Sequence, residues 1–89
     1  MKHGIVRGLS KGALATRVRR GEITRLAKGL YVWGMPEPVE LLTLLQEHRP
    51  FLKATGTTAA QVLLGQDVTF PLKLASAERM PVSTFYVHA

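Results

Sequence analysis

The chain is predicted to be a small α+β domain, on three observations. A capped, cation-rich stretch at residues 10–21 is followed at once by two β-prone runs around a glycine-containing turn. Residues 39–47 are dense in leucine, with turn-forming residues on both sides. The remainder alternates short apolar runs with proline and serine. Eighty-nine residues, 46% of them hydrophobic, suit one folded domain: residues 1–33 as a basic helix with a hairpin, and 34–89 as apolar helices with terminal strands.

In the first helix, Ser10 is a good acceptor for the free amides of the first turn, and Gly21 suits the left-handed position after the last. Leu9 precedes the cap as a hydrophobic staple, and Arg17, Arg19 and Arg20 complement the negative end of the helix dipole. A rotation of about 100° per residue groups Leu14 with Val18 as the inward side. Gly12, Ala13, Thr16, Arg17, Arg19 and Arg20 then form the expected outer face. Ile23–Leu26 and Leu30–Trp33 follow as strands joined by Ala27-Lys28-Gly29. Alternation along the second strand puts Tyr31 and Trp33 on one face and Leu30 and Val32 on the other. Core or interface packing is expected for the two aromatics rather than base stacking.

Met35-Pro36-Glu37-Pro38 breaks the chain before a helix over residues 39–47. Leu41, Leu42, Leu44 and Leu45 leave that helix little polar surface, so it is expected to be buried in the core or against another chain. Thr55-Gly56-Thr57-Thr58 supplies caps for a third helix at 59–64, stopped by Gly65. Residues 68–74 and 84–87 read as extended, forming a small terminal β-hairpin with an open edge that invites a homodimer. The whole is winged helix-turn-helix-like: a basic helix with a β-hairpin wing, then two helices and the terminal hairpin.

The net charge of +6 is unevenly spread. Residues 1–33 carry eight Lys and Arg (Lys2, Arg7, Lys11, Arg17, Arg19, Arg20, Arg25, Lys28) against Glu22 alone, and residues 34–89 are nearly balanced. A cationic helix running into a cationic hairpin points to a polyanion, nucleic acid before membrane. Arg17, Arg19, Arg20, Arg25 and Lys28 are the expected phosphate contacts, with Lys11, Thr16 and Arg17 placed to approach base edges and Ser10 counted with them among the DNA-binding residues.

Catalytic chemistry finds little footing. Without cysteine there are no thiolate metal sites or thiol nucleophiles. His3, His48 and His88 lie 45 and 40 residues apart, which is not metal-ligand spacing, and His48 reads as a helix-end cation. Glu37, Glu40 and Glu47 are spaced for a helix surface, and Ser10, Ser76 and Ser83 lack a nucleophile elbow. No enzyme activity, cofactor or metal is expected. With no signal-like start, apolar span or disulfide, a cytoplasmic protein is expected.

Gly8-Leu9-Ser10-Lys11-Gly12-Ala13-Leu14, Val18-Arg19-Arg20-Gly21-Glu22-Ile23 and Thr24-Arg25-Leu26-Ala27-Lys28-Gly29-Leu30-Tyr31-Val32 together resemble the N-terminal winged-helix region of AbiEi-type antitoxins of bacterial type IV toxin–antitoxin systems. Ala54-Thr55-Gly56-Thr57-Thr58-Ala59-Ala60 with Leu64-Gly65 is similar to the segment that follows in that family, so the resemblance touches most of residues 8–75. It implies a transcriptional regulator that binds operator DNA, with residues 10–20 as the recognition helix, 24–32 as the wing, and a cognate toxin as a second partner. The alternative reading is a protein-interaction or dimerisation module whose leucine-rich helix and terminal strand bind a partner without DNA.

Overall fold

The computed structural model describes residues 4–88 as three helices and two small sheets. Lys2 and His3, named above among the cations and histidines, lie outside the described residues. The first helix, α1 (Lys11–Arg19), begins where the Ser10 hydroxyl accepts the Ala13 N–H at 3.3 Å. It ends as the Gly21 N–H donates to the Val18 carbonyl and the Glu22 N–H to the Arg17 carbonyl, both at 3.0 Å. This pair of bonds needs a left-handed residue, and Gly21 supplies it at φ +74°. The reversal leads straight into β1 (Ile23–Ala27), which pairs antiparallel with β2 (Leu30–Trp33) across Lys28-Gly29. Segment 4–6 lies along the other edge of β2: the Val6 N–H donates to the Tyr31 carbonyl and the Trp33 N–H to the Gly4 carbonyl.

Helix α2 (Pro38–His48) starts with proline where no intrahelical donor is needed, and it buries Leu41, Leu42 and Leu45. Those leucines meet Leu26, Ala27, Leu30 and Val32 of the hairpin, Leu52, and Leu72, Leu74 and Tyr86 of the second sheet in one core. Each leucine or valine so withdrawn from water stabilises the fold by about 1.5–3 kcal/mol. The leucine-rich helix is therefore occupied by this chain's own interior.

The second sheet corrects the expected terminal hairpin. Strand β4 (Leu72–Ala75) pairs antiparallel with the two-residue β3 (Lys53–Ala54) and parallel with β5 (Tyr86–His88). The return through 76–85 carries the chain back alongside β4 before β5 begins, so both strands run the same way, as parallel neighbours require. That return is pinned where the Tyr86 hydroxyl donates to the Pro81 carbonyl at 2.7 Å. The pairing keeps Leu72, Leu74 and Tyr86 all on the core side.

The third helix, α3 (Gly56–Leu63), starts three residues earlier than its sequence predicts, with Thr55 as the N-cap by backbone geometry. Thr58 lies inside its first turn, 1% exposed, and its hydroxyl accepts the Lys73 N–H at 2.8 Å, fastening α3 to β4. Residues 68–70, expected to be extended, form a loop held to α3 by Gln61, whose amide donates to the Thr69 hydroxyl and accepts the Thr69 N–H.

Candidate nucleic-acid interface

The hairpin is a two-sided layer. Cross-strand partners share a face, so the register Thr24↔Val32 and Ala27↔Leu30 defines one side and Ile23↔Trp33 and Arg25↔Tyr31 the other. The first side belongs to the core. The second meets α1, which packs against β1, and Ile23 at its base is buried. Trp33, opposite Ile23 at the base, is half-buried, and farther toward the turn the same side lies open, with Arg25 exposed and Tyr31 half-buried.

Arg17 joins helix and hairpin. Its guanidinium carbon lies 5.4 Å from the centroid of the Trp33 ring, and its Nη1 is 3.6 Å from Glu22 Oε1. A guanidinium over an indole face is attracted by the ring quadrupole, and the nearby carboxylate adds a weak surface ion pair.

These contacts set the rotation of α1 differently from its apolar pattern. Ala13, Leu14, Thr16 and Arg17 are half-buried, whereas Lys11, Gly12, Ala15, Val18 and Arg19 are exposed. The inward side is turned by roughly 100° from the Leu14–Val18 stripe. No residue of α1 is fully buried, so two aliphatic side chains gave too little apolar drive to outweigh the Arg17–Trp33 contact and the tight turn at Gly21.

The candidate contact residues therefore fall into two groups. Lys11, Arg19, Arg20, Arg25 and Lys28 are exposed and form no ion pair among the described residues. Thr16 and Arg17 face the protein, and the Thr16 hydroxyl donates to the Gly12 carbonyl at 3.0 Å. Ser10 is exposed but serves as the helix cap. Tyr31 and Trp33, expected to pack in a core or an interface, are half-buried and border the cationic group outside the main core. Aromatic groups beside arginines are a surface on which nucleic-acid bases and sugars can rest.

The end of α2 is chemically different. His48 is held below its ordinary pKa, first by burial and then by the positive charges of Arg49 and Arg7. This disfavours the helix-end cation its sequence position indicates. Arg49 instead pairs with Glu78 at 3.3 Å. Among the described residues no group of three His, Asp or Glu could hold a metal ion, and no helix is long and apolar enough to cross a membrane. No family model, curated protein or solved structure matches this chain.

Proposed function

We propose that this protein is a cytoplasmic DNA-binding transcriptional regulator of winged helix-turn-helix type, similar in role to type IV antitoxins. The outward side of α1 and the tip of the β1–β2 hairpin lie on the duplex. Lys11, Arg19, Arg20, Arg25 and Lys28 contact phosphates, while Arg17, clasped against Trp33, orients the helix on the hairpin. The observation that carries this reading is the set of five exposed cations on two consecutive elements with no acid among the described residues to neutralise them. Such a surface attracts a polyanion by releasing its condensed counterions.

Anisotropy of a labelled random-sequence duplex at low salt tests the reading. Dissociation constants of about 10⁻⁴–10⁻⁶ M at physiological salt, tightening steeply as salt is lowered, are expected. Arg25→Gln with Lys28→Gln weakens binding, whereas Lys53→Gln, an exposed cation in the other sheet, leaves it unchanged. Absence of binding at low salt, or equal losses from all three substitutions, overturns the proposal.

A further inference from the structure

A second surface has the opposite character. Between the start of α2 and the loop after α3 runs a groove of about 630 Å³ bordered by Glu37, Pro38, Val39, Asp67, Val68 and Phe70. Its floor is apolar and its rim acidic. Glu37 and Asp67 form no ion pair among the described residues, and Val39 is 53% exposed. The loop wall is preformed, because Gln61 holds Thr69 through two hydrogen bonds of 3.0 and 3.2 Å. Leu63 and Leu64, 85% and 69% exposed, lie a few residues before that wall in the chain. Large apolar side chains gathered this way mark a contact surface more often than chance exposure does.

The matching shape is present in the same molecule. The outward side of α1 carries Ala15 and Val18 as a low apolar ridge, with Lys11 and Arg19 among its exposed cations. A ridge of small residues between cations complements a groove of apolar residues between acids in both shape and charge. We propose that the groove between α2 and the 67–70 loop receives α1 of a second copy of this chain, with Lys11 and Arg19 meeting Glu37 and Asp67 and Val18 seated near Val39 and Phe70. The contact joins two different surfaces, so each copy offers both a helix and a groove. It withdraws the cationic helix from any polyanion, so self-association and polyanion binding compete. The proposal stands without the DNA reading, because it depends only on the groove and the exposed side of α1.

Sedimentation velocity of the full chain, without nucleic acid, tests it over a range of protein and salt concentrations. Self-association that weakens with salt is expected. Glu37→Lys with Asp67→Lys should weaken it at least tenfold, and so should Lys11→Glu with Arg19→Glu. Mixing the two charge-reversed proteins should restore association between them. All four sites are exposed, and circular dichroism checks that both variants fold. A strict monomer overturns the proposal, as does association that both double variants retain. A chain that stays monomeric yet binds an oligolysine peptide also overturns it, in favour of a foreign cationic partner. Glu37→Gln with Asp67→Asn adds no cation and keeps α1 and the hairpin intact, so its duplex binding reports on the DNA reading separately.

Discussion

Arg17 and Arg19 sit two residues apart on one helix, yet they should respond differently to neutralisation. Each phosphate contact contributes about 0.9 to the slope of log affinity against log salt. Over a rise from about 50 to about 200 mM salt, one contact therefore accounts for roughly a 3.5-fold loss of affinity. Arg19 is exposed with no acid partner among the described residues, so Arg19→Gln should remove close to that full amount. Arg17 must first leave Glu22 at 3.6 Å and the Trp33 ring at 5.4 Å. The exposed ion pair is worth about 0–1 kcal/mol and the ring contact about 0.5–1 kcal/mol. Giving up even ~1 kcal/mol costs about fivefold in affinity, enough to cancel most of the gain from a phosphate. Arg17→Gln should therefore change the slope by well under half a unit, while altering the fluorescence of Trp33, the single tryptophan of the chain. Anisotropy titrations at several salt concentrations, with Trp33 emission recorded on the free proteins, measure both effects. A full unit of slope lost with Arg17→Gln and none with Arg19→Gln would falsify the assigned rotation of α1.

Two further outcomes follow from buried groups. Thr58→Val keeps the shape of the side chain but leaves the Lys73 N–H without its 2.8 Å acceptor; urea unfolding should show a loss of about 1–3 kcal/mol, and an unchanged midpoint would mean that water replaces the hydroxyl. His48, with a folded pKa below its ordinary 6.5, binds protons more readily in the unfolded chain. Stability should thus be intact above about pH 6.5 and decline as the pH falls from there through the lowered folded value. His48→Gln should flatten that part of the profile, and a decline that persists in the variant assigns it to other groups.

Much of the first half of the fold was legible because its signals are local. Ser10, Gly21, Gly29 and Pro38 act within a turn or two of where they stand, and they mark the ends of α1, the hairpin turn and the start of α2. The 30–33 alternation likewise separated Leu30 and Val32 from Tyr31 and Trp33, but did not fix which face turns inward: the aliphatic pair takes the core and the aromatics are only half-buried. The second sheet was less legible because its order depends on distant partners. Nothing near Lys53-Ala54 reveals that two residues will pair with Ala75 and Leu74, and nothing in Tyr86–His88 fixes a parallel rather than an antiparallel neighbour. At the candidate site the residue types were readable but not the helix rotation. Leu14 and Val18 looked like the inward pair, yet Arg17 gains more from lying across Trp33, a contact invisible to a pattern confined to one helix. The groove residues Glu37 and Asp67 are thirty positions apart, and only folding brings them to one rim.

A nine-residue helix with no fully buried side chain draws little support from the rest of the molecule. Its amide hydrogens should exchange with solvent deuterium through local fraying, long before those of Val32 or Leu45 at the centre of the core. Whatever settles on α1 must therefore also hold it wound, so part of the binding free energy goes into ordering this segment. Slowed exchange confined to residues 13–19 would locate the occupied surface even where affinity is too weak to isolate a complex.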